Sequence, residues 1–359
     1  MKLSRRCRVS SGWKQPGPLG GLQRTLFRCA SLLATLVAFS FGLEPSGFAS
    51  GETNNPTTVA VEHGLRFLQA EAFQWKQSRS CAACHHAALM VWAFNEARTH
   101  GYSVDTNALS QVTAWAFTDM KTNSLTEQPP PRDVLNLGWV YTLLSIETAP
   151  FPEKKNGSAH TNQDVLASAR QTLIQQIVKK QASDGSWGKP LDERVPLGGP
   201  VEDIAILSRL ALIQSGDNSA EVTECMNKAA GWLATHHDPS SRQARNLRVL
   251  MNLSESKQVS GFSGEIESMR GEQSSDGGWS QTPEMPSDAY ATGQTLYVLA
   301  RAGVNREDPA MKRGAEFLKR TQREEGSWPM TSRVKAKNLS PITATGTAWA
   351  VLGLIRASP

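Results

Sequence analysis

The chain has 359 residues, of which 39% are hydrophobic and 20% charged, so it can build a sizeable core and wholesale disorder is excluded. Lys and Arg number 38 against 33 Asp and Glu, a formal +5. Seven of those cations fall within residues 1–49, where Glu44 is the one acid; the remainder holds 31 basic and 32 acidic residues, which excludes a basic nucleic-acid footprint.

Residues 1–49 read as an export leader. Ala30–Leu43 is an uncharged, mostly apolar run after Arg24 and Arg28. It is shorter than the roughly 20 residues that cross a bilayer. Gly47-Phe48-Ala49 offers small residues for a signal peptidase, so cleavage is expected near Ala49 and the mature protein in the periplasm or outside the cell. An uncleaved anchor is the alternative. Cys7 and Cys29 leave with the leader, and Cys81, Cys84 and Cys225 remain. An odd count in an exported protein means that no disulfide framework holds residues 50–359 together.

The next feature is Cys81-Ala-Ala-Cys84-His85-His86. Cys-x-x-Cys-His is the attachment pattern of c-type haem, two thioether links and an axial imidazole, with Cys81, Cys84 and His85 in those roles. The flanks do not resemble a small cytochrome; the segment runs into Ala87-Ala-Leu-Met90-Val-Trp92-Ala-Phe94, a buried-helix pattern. Competing readings are a zinc site built from Cys81, Cys84 and His85 or His86, a local redox-active disulfide, and plain helix-end residues.

Downstream, amphipathic and all-round apolar helices alternate. They are expected near 57–72 and 84–100, 106–121 and 133–147, 163–180 and 201–215. Three further pairs are expected near 220–236 and 242–253, 258–272 and 288–303, 308–322 and 342–356. The fourth pair, with Arg242, Arg245 and Arg248, departs most from the pattern. A repeat runs through these pairs. Gln181…Gly185-Ser-Trp187, Gln273…Gly277-Gly-Trp279 and Gln322…Gly326-Ser-Trp328 share one spacing. Lys312-Arg-Gly314-Ala-Glu-Phe317-Leu318 is similar to Gly64-Leu-Arg-Phe67-Leu68 and to Lys228-Ala-Ala-Gly231-Trp232-Leu233. Asp288–Leu299 aligns without gaps with Asp133–Leu144 and, through Gly293 and Gly346, with Ile342–Leu352. Six pairs close into a ring, apolar helices inside and amphipathic ones outside. The fold class is therefore all-α, an α/α toroid.

The Lys/Arg-Gly-x-x-aromatic-Leu…Gln…Gly-x-Trp repeat resembles that of terpenoid cyclases of the squalene–hopene cyclase type, over roughly residues 57–359. Protein prenyltransferase β-subunits share that toroid. Exported families whose toroid carries a Cys-x-x-Cys-His segment also look similar. The resemblance implies a central apolar cavity with chemistry at the N-terminal ends of the inner helices. Here those ends carry Cys81–His86, Asp133, Glu202, Asp203 and Asp288. Cyclases of this type use Asp-x-Asp-Asp-Thr-Ala, one Asp being held protonated. The nearest match is Pro200-Val-Glu202-Asp203-Ile-Ala205, with Glu202 at the acid's position and Pro200 in place of the first Asp. Glu202, Asp203 and Asp288 are thus candidate catalytic acids, weighed against plain helix capping. The prenyltransferase zinc ligands are missing from Asp288–Gly303 and Pro341–Ala357. The partners implied are an isoprenoid-like apolar molecule, a membrane surface, and a redox partner if haem is bound.

Overall fold

The computed structural model describes residues 55–78, 84–123, 135, 137–147, 160–188, 199–256, 261–333 and 340–358. The leader with its cleavage site, Cys81 and Asp133 lie outside the described residues, as do the side chains of Cys84 and His85.

The described residues form twelve α-helices and no strand. In chain order they are α1 (Pro56–Ser78), α2 (Leu89–Thr99), α3 (Thr106–Asn123), α4 (Leu137–Glu147), α5 (His160–Lys179) and α6 (Val201–Ser215). Then come α7 (Ala220–Thr235), α8 (Arg242–Ser256), α9 (Ser263–Gly271), α10 (Ala289–Arg301), α11 (Pro309–Thr321) and α12 (Ser340–Ala357). A π-helical turn, Cys84–Ala88, leads into α2. Local chemistry sets several ends. The Asp308 carboxylate accepts from Ala310 N and Pro309 opens α11, while Gly216 closes α6 with φ 62°.

Even-numbered helices form the inner wall. α2 packs on α4, α4 on α6, α6 on α8, α8 on α10, α10 on α12, and α12 returns to α2. The ring is closed. Its helices are buried nearly all round: α12 from Ala344 to Ile355, α10 from Ala289 to Leu299. The outer helices show one buried stripe each, as in α11, where Ala310, Met311, Gly314, Phe317 and Leu318 face inward.

The repeat explains how neighbouring pairs lock. Gln181 Nε2 donates to Gly185 O within its own turn and to Cys225 O on α7. Gln273 does the same to Gly277 O and Ala310 O on α11, and Gln322 to Gly326 O and Ala60 O on α1. The last of these ties the end of the chain to its beginning and closes the outer layer. Trp187, Trp279 and Trp328 donate their indole N–H to Ile177 O, Met269 O and Leu318 O, so the three stand at equivalent turns. At those turns Gly185, Gly277 and Gly326 take φ of 95°, 89° and 92°, the left-handed region where a side chain is strained.

These contacts correct one alignment. Gly185, Gly277 and Gly326 abut the carbonyls of Lys228, Arg313 and His63. The residues that follow are Ala229, Gly314 and Gly64. A Cβ at Gly314 would lie 2.7 Å from Trp279, and one at Gly64 2.8 Å from Trp328. The small seat in the fourth pair is therefore the buried Ala229. Gly231, which the sequence pairs with Gly314, lies on the exposed face of α7.

Trp328 is fully buried on that seat. Trp328→Ala is expected to cost about 3–5 kcal/mol, because it opens a cavity and removes the indole hydrogen bond to Leu318 O. The urea midpoint measures this, and a shift worth less than about 1 kcal/mol would contradict it.

Candidate functional site

Each outer helix returns the chain, so the six inner helices run in one direction and their N-termini gather at one mouth. Contacts between those ends follow. Arg248 on α8 pairs with Glu202 on α6 at 2.7 Å. Arg333 Nη2 donates to Gln243 Oε1 on α8 at 2.9 Å. His86, before α2, lies 2.9 Å from Ser340 Oγ at the start of α12.

Glu202 is buried and committed. It accepts from Arg248 Nε at 2.7 Å and Asp238 N at 2.9 Å, and lies 3.1 Å from His237 Nδ1. It ties α6 to α8 and to the chain entering α8. Asp203 is its opposite. It is 1% exposed, and neither carboxylate oxygen has a hydrogen-bond partner among the described residues. Burial pushes its pKa up to about 7, against the pull of Arg333 and with Glu202 and Asp238 adding to the rise. Gly199 makes room for it, since a Cβ there would lie 2.5 Å from Asp203 Oδ2.

Asp288 caps α10: its carboxylate accepts from Ala291 N at 2.9 Å and from Gln281 Nε2. Gln281 also donates to Thr331 O at 2.7 Å. Burial raises the Asp288 pKa, and those hydrogen bonds oppose the rise. Tyr290, in the first turn of α10, is within electrostatic reach of both Asp203 and Asp288, and burial raises its phenol pKa. Its ring meets Trp349 of α12 edge-on at 6.2 Å, and Trp349 in turn meets Trp92 of α2 at 5.5 Å and Tyr297 of α10 at 5.9 Å. An aromatic cluster thus joins three inner helices.

On the α2 side, the His86 imidazole stacks on Trp75 of α1 at 4.2 Å. It also lies 3.5 Å from Glu71 Oε2, and Ser340 Oγ donates to the same oxygen at 2.7 Å. The Glu71 carboxylate is held below its usual pKa, first by the bond to His86, with burial opposing. His86 therefore clamps the π-helical turn to α1 and α12. Among the described residues, no three His, Cys, Asp or Glu are arranged to hold a metal ion. Cys225 is buried within α7, and its thiol pKa is pushed up to about 12 by burial, which suits an inert residue.

Structure brings Glu202, Asp203, Asp288 and His86 to the same mouth. Arg333, Tyr290, Gln281 and His237 are the additions. Tyr290 lies within the aligned Asp288–Leu299 segment, whereas the other three sit on or beside connections whose course the sequence does not fix.

Residues 234–359 match the family described as the squalene-hopene cyclase C-terminal domain. A squalene–hopene cyclase from Bradyrhizobium diazoefficiens is 36% identical over 73 residues, 19% of this chain and 11% of that protein. The match thus covers about a ninth of the relative's length. Both findings support the terpenoid cyclase superfamily and its all-helical toroid.

Proposed function

We propose that this cyclase-like toroid is an acid catalyst for an apolar, isoprenoid-like molecule admitted at the mouth, with Asp203 as the proton donor. The observation that carries the reading is the Asp203 carboxyl, buried at the N-terminal end of an inner helix with both oxygens unpartnered and a pKa near 7. A carboxylic acid kept neutral near physiological pH can donate a proton that an ordinary carboxylate has already lost. Glu202 occupies the acid's position by sequence, but its carboxylate is engaged by Arg248 and Asp238 N, which leaves it tied into the wall of the mouth. In the proposed step the Asp203 O–H bond breaks while the alkene's π pair forms a C–H bond. The positive charge left on carbon would be stabilised by ring faces such as Tyr290 and Trp349. Arg333 faces the carboxylate produced. Loss of a proton from the neighbouring carbon, returned to Asp203, completes an isomerisation.

Haem or zinc would be held by Cys81, Cys84 and His85, and no step of the reaction passes through either. His86 is an unsuited ligand for either, because its imidazole is held at Glu71, Ser340 and Trp75.

The test uses the purified chain, squalene and shorter polyprenes as probes, and product analysis by mass spectrometry. Asp203→Asn should lower turnover by about 10²–10⁴-fold with the helical fold intact. Glu202→Gln should leave more activity than Asp203→Asn. Equal turnover in wild type and Asp203→Asn would overturn the assignment, as would a folded wild type that converts none of the probes.

A further inference from the structure

A cavity of about 10 Å³ lies between the first turns of α8 and α10 and the Ser280–Gln281 stretch. A volume of that size holds about one water molecule. Three of the side chains lining it each keep a buried atom with no hydrogen-bond partner among the described residues: Arg245 Nε, Asn246 Oδ1 and Gln281 Oε1. Each such orphan costs about 1–3 kcal/mol when left unmet.

None of the three can turn to find a partner without losing one. Arg245 grips both oxygens of Glu272 at 2.5 and 2.7 Å through its two Nη atoms. Asn246 Nδ2 donates to Thr295 Oγ1 on α10 at 3.0 Å. Gln281 Nε2 is shared between Asp288 and Thr331 O.

We infer that this cavity is a binding site for a single structural water that accepts from Arg245 Nε and donates to Asn246 Oδ1 and Gln281 Oε1. Chemistry selects the occupant. A guanidinium donor repels a metal or ammonium ion. Two amide carbonyl oxygens disfavour a halide. An apolar guest would leave all three atoms unmet. Water accepts once and donates twice, which is the balance these three atoms present. The inference is independent of the acid reading, since it uses neither Asp203 nor a substrate.

The water has a structural consequence. It joins the Arg245–Glu272 pair, the Asn246–Thr295 bond and the Gln281–Asp288 bond into one network across α8, α9 and α10. It also fixes which end of the Gln281 amide faces Asp288. The oxygen meets water, so the NH₂ group is turned to the carboxylate that caps α10.

The experiment is a crystal structure of the chain at about 1.5 Å or better, with solution NMR as a second readout. A density peak is expected within about 2.7–3.2 Å of all three atoms. Cross-relaxation between a long-lived water and the Asn246 and Gln281 amide protons is expected in solution. Asn246→Leu, which removes one acceptor and fills space, should lose both signals; if it does not fold, the wild-type measurements stand alone. Wild-type density without that peak would overturn the inference. So would a peak refining as an ion, or the three atoms found bonded to protein groups instead.

Discussion

Replacing Gly293 by alanine should destabilise the toroid by about 4 kcal/mol or more, among the largest effects a single methyl can have. The new Cβ would lie 2.2 Å from Trp349 O, 2.3 Å from Trp349 C and 2.6 Å from Ala350 N. All three are backbone atoms of α12, so no side chain can rotate away. The contact is reciprocal, because a Cβ at Gly353 would lie 2.6 Å from Gly293 O. α10 and α12 therefore cross backbone to backbone, and a methyl must push apart two buried helices. Gly231 is the control. It lies on the exposed face of α7 with nothing within 4 Å of a Cβ. Gly231→Ala should stabilise by about 0.5–1 kcal/mol, the helix-propensity gain alone. Urea denaturation of both variants decides the matter. Similar midpoints for the two would show that the α10–α12 crossing is not that tight.

That pair of glycines also shows what sequence could and could not tell. Each sits within a helical pattern, and the apolar surroundings of Gly293 mark an inner helix, but local sequence does not say that another backbone crosses at that residue. The six helix pairs and the closed ring were legible because a 3.6-residue stripe is strong and the Gln…Gly-x-Trp turn recurs at fixed spacing. Register within the inner helices was less legible. A helix apolar on every side has no stripe to fix its rotation. Gap-free alignment pairs Thr292 with Thr345, yet the Trp279 N–H is accepted by Thr292 Oγ1 and the Trp328 N–H by Thr347 Oγ1, two residues further on. The same limit applies to the site. Glu202 and Asp203 were both visible as acids opening an inner helix. Which of them is engaged by partners depends on Arg248, His237 and Asp238, which approach Glu202 from α8 and its preceding connection. Arg333 reaches Gln243 across 90 residues of chain, a proximity that no local pattern encodes.

Asp203→Asn should make the folded protein more stable relative to wild type, by a margin that grows with pH. The ordinary Asp pKa is 3.8, and burial raises that of Asp203 to about 7 in the folded state. Between those values the native chain keeps a proton that the unfolded chain has lost. Stability falls with pH wherever the native state binds more protons. The neutral carboxyl therefore costs nothing extra below about pH 4, the penalty builds between about pH 4 and 7, and it is complete above. A rise of about three pKa units corresponds to on the order of 4 kcal/mol. Asparagine cannot ionise, so it escapes this penalty while keeping nearly the same shape. Carboxylates with lowered pKa, such as Glu71 and Glu272, weaken the fold in acid in both proteins and cancel in the comparison. The charged and titratable groups that act on Asp203, namely Arg333, Glu202, Asp238, Arg248 and Tyr290, are also common to both. The measurement is the difference in unfolding free energy between the two proteins from pH 4 to 8. A difference independent of pH would mean that Asp203 ionises as an ordinary carboxylate, and the acid role would fall with it. Removing the cation gives the opposite displacement. Arg333→Gln takes away the charge that favours the carboxylate, so the window in which wild-type Asp203 loses stability should move to higher pH. If the proposed chemistry holds, the activity limb controlled by Asp203 should move with it, because one ionisation governs both.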